Sequence, residues 1–262
     1  MGKEIQITLS QSYAASFRIT MKKDNQLFEL FWENSKLNNK TIRDFAERIS
    51  EYAGGAMQKT SIQYPGNDVL LKKPNDKLLK FMTKRKSVRE FAEKKISFKK
   101  LSNLFASFMK SESGTRTFAS AGATYALEVF CILNNVEGEL NKKIVYYNFD
   151  NHSLTVVKDA PEYEKYKELI NVNTKSTIPP LVFIFTLLSD PTVDKYAERG
   201  GRFALIELGH AVQNLSLRLV QEGMAGVEAG GLLDDKIAQL LWINHYPLKI
   251  ALGYLCGYPL KK

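Results

Sequence analysis

A chain of 262 residues is long enough for one large domain, or for one domain with an extension. Its composition, 44% hydrophobic and 25% charged, is ordinary for a globular protein, and its longest apolar runs are too short to span a bilayer. The opening stretch MGKEIQITLSQ lacks the apolar core of a secretory signal, and Gln6 breaks the myristoylation pattern. We therefore expect a cytoplasmic protein without a membrane span.

The net charge of +9 is concentrated in one segment. Residues 72–100 contain twelve lysines and arginines against three acidic residues, whereas the rest of the chain is balanced at 25 of each. Such a segment is either a solvated lysine face or a site for an anion, for example phosphate, an acidic peptide or nucleic acid. Few aromatic residues lie between these lysines to stack on bases, so we expect no nucleic-acid partner.

Metal and dithiol chemistry are not predicted. Cys131 and Cys256 lie far apart in sequence and form no CxxC spacing, which indicates two buried apolar thiols. The three histidines have no metal-ligand spacing, so we expect no metal site.

The first part of the chain reads as an extension. QLFELFWENSKLN and TIRDFAERISEYAG are helical patterns, the second with Thr41 as N-cap and Gly54-Gly55 as its stop. Pro65-Gly66 and Pro74 then indicate turns. We predict a helical N-terminal extension over residues 1–77, a candidate docking element for a partner or a peptide, followed by a main domain over residues 78–262.

The main domain mixes helices with strands. Helices are predicted from Leu78 to about Arg85, from Ser97 to Met109 with Ser97 as N-cap, from about Arg202 to Glu222 with Gly223 as the stop, and from Asp234, which caps the last one. Strands are predicted over Ala126–Leu133, in a hairpin turning at Asp150-Asn151, over Pro179–Leu188 with both faces covered, in AGVEAGG and in PLKIALGYLCGYP. This order predicts an α+β fold, with helices flanking a mostly antiparallel sheet of about four or five strands.

Three short stretches are candidate binding elements. The basic cluster, Arg85, Lys86, Ser87 and Arg89, offers planar guanidinium forks and a hydroxyl that suit a phosphate, although a plain basic run is the alternative. The small-residue loop, Ala119 to Thr124, allows close approach to a flat ligand or is simply a flexible loop. Gly230-Gly231 either brings backbone close to a ligand or forms an ordinary turn.

A polar stripe runs along the long helix. Glu207, His210, Asn214 and Arg218 share one face, and we interpret them as a hydrogen-bonded buried stripe or a subunit seam. Gly209 costs this helix about 1 kcal/mol relative to alanine, which the close approach of another helix or of a ligand would justify.

These elements occur together in a known order. KRKSVREF, SAGATYALEVF, YAERGGRFALIELGHAVQNL, GVEAGG and ALGYLCGYP succeed one another along the chain. The chain thereby resembles the FMN-dependent nitroreductase superfamily and, within it, the SagB-type dehydrogenases, which are azoline oxidases of thiazole/oxazole-modified peptide biosynthesis. FWENSKLN is also similar to the N-terminal part of these proteins. The chain departs from the family's loop at Ala119 and Ala126, where prolines are common, and at Thr124, which replaces leucine.

The resemblance implies a nitroreductase-like fold, an interlocked homodimer and two FMN sites at the subunit interface. It assigns the basic cluster to the phosphate and ribityl chain of FMN. It places Ser120, Ala121 and Gly122 at the flavin, typically of the other subunit, and Glu228, Ala229, Gly230 and Gly231 beside the isoalloxazine ring. The adjacent Lys195 and Tyr196 match the catalytic pair of the azoline oxidases. A modified precursor peptide as substrate, a cyclodehydratase partner and oxygen as electron acceptor are further implications.

The chemistry explains why a lysine and a tyrosine would stand side by side. Aromatising an azoline removes a Cα proton and a hydride, and a flavin accepts the hydride. A free tyrosine phenol ionises only near pH 10, so it acts as a base at neutral pH only when a cation favours its ionised form. Lys195 is the candidate for that cation, or for the base itself if burial lowers its own pKa. Because successive residues of a helix do not face each other, we predict that Lys195-Tyr196 lies in a turn before the long helix if both residues act at one site.

Two other functions remain open from the sequence. One is a nitroreductase that uses NAD(P)H to reduce quinones or small nitro compounds. The other is a non-catalytic flavoprotein subunit that scaffolds a peptide-modifying complex.

Overall fold

One antiparallel sheet organises the structure, a computed structural model that describes residues 26–54, 65–174 and 177–260. Its strands are β1 (Leu127–Leu133), β2 (Lys143–Asn148), β3 (Ser153–Asp159), β4 (Leu181–Leu187), β5 (Ala225–Ala229) and β6 (Lys249–Gly257). They are arranged β3-β2-β1-β4-β6-β5, and every neighbouring pair of strands is antiparallel. The predicted α+β class and antiparallel sheet are confirmed, with six strands where four or five were expected.

Seven α-helices surround this sheet in the described part of the chain. They are α1 (Gln26–Ser35), α2 (Thr41–Gly54), α3 (Lys77–Met82), α4 (Phe98–Phe105), α5 (Asp190–Tyr196), α6 (Arg199–Gln221) and α7 (Asp234–Leu240). None of the helices within the described ranges is long and apolar enough to cross a membrane.

Both faces of the sheet are covered, because successive side chains of a strand point to opposite sides. On β1, Cys131 joins a core cluster shared with α1, α4 and α6, whereas the next residue, Ile132, joins a second cluster shared with α7 and residues 163–172. Every residue of β4 is buried, as the sequence predicted for a strand covered on both faces. Cys131 and Cys256 are buried thiols, again as predicted.

Helix ends follow local chemistry, with several corrections to the predicted bounds. The Ser97 side chain accepts the Lys100 N–H and caps α4, as predicted, but α4 ends at Phe105 instead of Met109. The chain leaves α6 through Gly223, whose φ of +71° suits glycine. Helix α3 ends at Met82, before the predicted limit at Arg85.

Two predicted caps are the first residues of their helices instead. Thr41 begins α2, and the side chain of Asn38 accepts the N–H groups of Lys40 and Thr41 in its place. Asp234 begins α7, and its carboxylate accepts the Leu37 N–H at 3.0 Å. Asp234 therefore ties the segment after α1 to the main sheet. Gly55, the second predicted stop of α2, and residues 1–25 lie outside the described residues.

Helix α1 packs directly on the main core. Phe28 and Trp32 are buried in the cluster that also contains α6, and their rings are 5.7 Å apart. A parallel bridge joins Leu37 to Leu233 just before α7. Helix α1 of the predicted extension thus contributes side chains to the fold that carries the site.

Candidate functional site

The Lys195 and Tyr196 side chains converge on one point of the small-residue loop. Lys195 Nζ donates to the carbonyl oxygen of Gly122 at 3.1 Å. A Cβ on Gly122 would lie 2.4 Å from both Lys195 Nζ and Tyr196 Oη, so both polar groups abut the bare Cα of this glycine. Tyr196 also packs edge-on against Phe203, with ring centroids 5.0 Å apart. The structure therefore brings the two predicted catalytic residues together with Gly122.

The pair lies in the last turn of α5, so its predicted placement in a turn was wrong. Helix α5 carries Pro191 in its first turn, a position where proline's fixed φ and missing N–H are tolerated. Ser189-Asp190-Pro191 is therefore a helix-start signal in the sequence, and it accounts for the helix that replaces the predicted turn. Although Lys195 and Tyr196 are successive helical residues, their long side chains both reach the same glycine.

The small-residue loop has an unusual backbone. Gly122 has a φ of +57°, and two non-glycine residues, Ala123 and Tyr125, also have positive φ, of 56° and 47°. Such conformations persist only when the surroundings hold them. The hydroxyl of Thr124 lies 2.7 Å from that of Thr192 on α5, and the Ser120 hydroxyl accepts the Tyr125 N–H at 3.0 Å. Thr124, a departure from the family pattern, thus ties the loop to the helix that carries the pair.

The polar stripe of α6 holds the other side of this loop. Glu207, 2% exposed, accepts the Leu127 N–H at 2.9 Å. His210 Nδ1 donates to the Ala119 carbonyl oxygen at 3.2 Å, and Asn214 Nδ2 donates to the Thr117 carbonyl oxygen at 2.9 Å. The hydrogen bonds of Glu207, His210 and Asn214 fix residues 117–127 on α6. The prediction that the stripe is buried was wrong, since Glu207 is buried but His210 is exposed.

The basic cluster lies along the outer edge of the sheet. The Val88 N–H donates to the Gly226 carbonyl oxygen at 2.9 Å, and Ser87 forms a parallel bridge with the same residue of β5. Arg85, Lys86, Ser87 and Arg89 are all exposed, and Arg85 Nη1 lies 3.4 Å from the Ser87 hydroxyl. Cationic side chains and a hydroxyl are thereby presented together beside β5.

The two glycines of the predicted turn after β5, Gly230 and Gly231, have different surroundings. Glu228 is exposed and Ala229 is buried. A Cβ on Gly230 would meet nothing within 4 Å, so open space lies beside its Cα. A Cβ on Gly231 would lie 2.8 Å from the Asn171 Cβ, so packing against a neighbouring loop already explains that glycine.

The contacts of the described residues place the predicted site residues in two groups within one chain. One group joins the small-residue loop to Lys195 and Tyr196, and the other joins the basic cluster to β5 and the glycine turn after it.

Comparison with known proteins identifies the family. Residues 82–258 match the model of the nitroreductase family. The chain belongs to the nitroreductase family. It is 33% identical over 177 residues to the Methanocaldococcus jannaschii protein MJ1384, which is assigned as a nitroreductase, with 66% of this chain and 87% of that protein covered.

Solved structures share the fold of this nitroreductase-family protein. A component of the Escherichia coli microcin synthetase McbBCD complex, with truncated pro-MccB17 bound, matches with a TM-score of 0.66 and 18% identity, covering 91% of this chain and 99% of that one. A Ralstonia eutropha protein assigned as a nitroreductase matches with a TM-score of 0.58 and 20% identity, covering 76% of this chain and 89% of that one. At these identities the likeness shows the fold.

A partly buried charge cluster lies next to the loop of this nitroreductase-family protein. The Arg116 guanidinium stacks 3.6 Å from the Phe149 ring centroid and donates to the Leu127 carbonyl oxygen, and burial lowers its pKa. Burial likewise raises the pKa of Glu128, an effect that the hydrogen bond from the Tyr146 hydroxyl at 2.6 Å opposes. Their sequence spacing gives no sign of this cluster, because the pairing of β1 with β2 is what brings Glu128 and Tyr146 together.

Proposed function

We propose that this protein is an FMN-dependent dehydrogenase that oxidises azoline rings of a modified peptide to azoles, with oxygen as the final electron acceptor. The observation that carries the proposal is the convergence of Lys195 and Tyr196 on Gly122. The nitroreductase family generally binds FMN, so family membership supports the cofactor. The fold shared with a microcin synthetase component supports a peptide substrate and a cyclodehydratase partner.

The residues at the sheet edge fit a flavin phosphate. Arg85 and Arg89 offer guanidinium forks, Lys86 adds an ammonium and Ser87 adds a hydroxyl donor, all of them exposed. The open space beside Gly230 leaves room for a flat ring near the backbone. By family position, Ser120, Ala121, Gly122, Glu228, Ala229 and Gly231 would complete the flavin environment. When bound, FMN supplies the acceptor for the hydride that leaves the azoline.

The remaining step, loss of the Cα proton, falls to the chain's own residues. Tyr196 Oη is the candidate base, with Lys195 Nζ beside it as its candidate partner. Lys195 Nζ lies 5.6 Å from the Tyr196 ring centroid and is held by the Gly122 carbonyl oxygen. This anchoring keeps the ammonium beside the phenol and orients both groups toward one position.

The same proposal includes a homodimer. On α6, Leu205 and Ile206 are 38% and 54% exposed, and a Cβ on Gly209 would meet nothing within 4 Å of the same chain. A second copy packing on this face would cover the apolar side chains and account for a glycine inside a long helix. Light scattering after size-exclusion chromatography should give a dimer, and Ile206→Glu should weaken it; a monomeric wild-type protein would remove this part of the proposal.

The decisive experiment mixes the purified, FMN-loaded protein with an azoline-containing peptide in the absence of oxygen. We expect bleaching of the flavin absorbance and loss of the mass of two hydrogen atoms from the peptide. Lys195→Ala and Tyr196→Phe should retain FMN but lose azole formation, whereas Tyr246→Phe, at a tyrosine that is 47% exposed, should behave as wild type. Unchanged azole formation in both site variants, with FMN still bound, would contradict the proposed roles.

The same experiment separates the alternative functions. Bleaching by NAD(P)H, with no change in the peptide, would favour a reductase, which the relationship to MJ1384 also supports. Tight FMN binding without turnover, together with tight binding to a cyclodehydratase, would favour the scaffold. Failure to bind any flavin would overturn the proposal as a whole.

A further inference from the structure

Glu198 joins the start of α1 to the junction between α5 and α6. Its two carboxylate oxygens accept the N–H groups of Leu27 and Phe28 at 2.9 and 2.8 Å. The first N–H groups of a helix have no partner within the helix, and a carboxylate there is also favoured by the helix dipole. Glu198 therefore acts as a cap supplied from a residue 170 positions away in sequence.

Two glycines shape the same junction. A Cβ on Gly201 would lie 2.2 Å from the Phe28 ring, so Phe28 packs flat on the bare Cα of α6. A Cβ on Gly200 would lie 2.4 Å from the Thr192 carbonyl oxygen, so α5 also folds back closely on α6. The Gly-Gly pair is thus explained by the packing of α1 and α5 on the start of α6.

The residue between the catalytic pair and Glu198 is held in an unfavourable conformation. Ala197 has a φ of 50° and a ψ of −144°, a combination that side chains rarely adopt. It is bounded on one side by Lys195 and Tyr196, which abut Gly122, and on the other by Glu198, which holds α1. Contacts on both sides of Ala197 are what fix this strained backbone, because strain of this kind persists only where the surroundings impose it.

A second contact fastens α1 near the other end of α5. Lys249 on β6 forms an ion pair with Glu29 of α1 at 2.8 Å, and the Lys249 side chain is only 13% exposed. Asp190, the first residue of α5, lies close enough to both side chains for their charges to act on it. Helix α1 is therefore held to β6 near the start of α5, as well as to Glu198 after its end.

We propose that Glu198, by capping α1, is a positioning residue that holds Lys195 and Tyr196 against the small-residue loop. This inference rests on the proposed function, since it assigns α1 a part in the same site. Helix α1 lies outside the segment that matches the nitroreductase family model. The element before that segment would thus set the geometry of the catalytic pair without touching the substrate.

The test compares three variants of the full-length, FMN-loaded protein. Glu198→Ala removes both acceptors, Glu198→Gln keeps one acceptor oxygen, and Glu47→Ala removes a solvent-exposed carboxylate from α2 as the matched control. Hydrogen–deuterium exchange is measured over residues 26–35 and 190–203, together with bound flavin and the kcat and KM for an azoline peptide.

For Glu198→Ala we expect faster hydrogen–deuterium exchange in both segments and retained flavin. The kcat should fall about tenfold or more, because a shift of about 1 Å in a catalytic group costs up to ~100-fold in rate. The KM should stay within about twofold of wild type. Glu198→Gln should recover part of the rate. Unchanged exchange over residues 190–203, or a kcat no lower than that of Glu47→Ala, overturns the inference.

The exchange measurement also separates this inference from the proposed function. If no azoline peptide bleaches the flavin of the wild-type protein, the proposed function fails. Hydrogen–deuterium exchange over residues 190–203 then decides by itself whether Glu198 positions the pair. Faster exchange there in Glu198→Ala then upholds the positioning role, and unchanged exchange refutes it.

Discussion

Replacing Gly122 by alanine should separate backbone strain from damage to the site. The φ of +57° costs alanine about 1 kcal/mol relative to glycine, equivalent to a fall in Tm of about 2–4 °C for a protein of this size. The added Cβ would also lie 2.4 Å from Lys195 Nζ and Tyr196 Oη. Since carbon contacts are comfortable at about 3.5–4.0 Å, both groups must retreat by about 1 Å. Because these are the ends of flexible side chains, the extra cost in stability is small, but the geometry of the pair is lost.

The assay compares Gly122→Ala with Gly114→Ala. Gly114 also has a positive φ, +84°, but the nearest atom to its Cβ would be Lys110 Cε at 4.0 Å, so this variant carries the backbone penalty alone. Both variants should lose about 1 kcal/mol of unfolding free energy. Only Gly122→Ala should lose azoline oxidation, by up to ~100-fold when the rate is expressed per bound flavin. Equal turnover in the two variants would refute the reasoning that Lys195 and Tyr196 act at this point.

Three further outcomes follow from packing and burial. Gly201→Ala should be severely destabilising in denaturant titrations, because its Cβ would lie 2.2 Å from the Phe28 ring. Adding Phe28→Ala to the same chain should recover part of the lost unfolding free energy. If the losses of the two single variants simply add in the double variant, the contact is contradicted. Burial raises the pKa of both Cys131 and Cys256, so neither thiol should react with a disulfide reagent at neutral pH until denaturant is added; rapid native labelling would contradict their burial. Ser97→Ala should lower the free energy of unfolding by about 1 kcal/mol through loss of the α4 cap, and an unchanged midpoint would show that the cap is redundant.

The sequence by itself determined the features that depend on local pattern. Apolar periodicity predicted the strands and the long helix, and Ser97 and Gly223 marked helix ends correctly, because capping and positive φ are properties of a few neighbouring residues. The order of the motifs also predicted the nitroreductase fold. Lys195 and Tyr196 are adjacent in sequence, and the resemblance to the azoline oxidases is what assigned them as a catalytic pair.

Only the tertiary structure decided which residues contact one another at the site. Gly122, 73 residues before Lys195, receives both side chains of the pair, and Glu198 caps a helix 170 residues away. Gly231 packs against Asn171, while its neighbour Gly230 faces open space, although both residues are glycine. Hydrogen bonds and steric contacts act over a few ångströms in space regardless of separation along the chain. Which glycine faces open space and which glutamate caps α1 therefore depends on how the helices pack on the sheet, and local sequence carries no record of that packing.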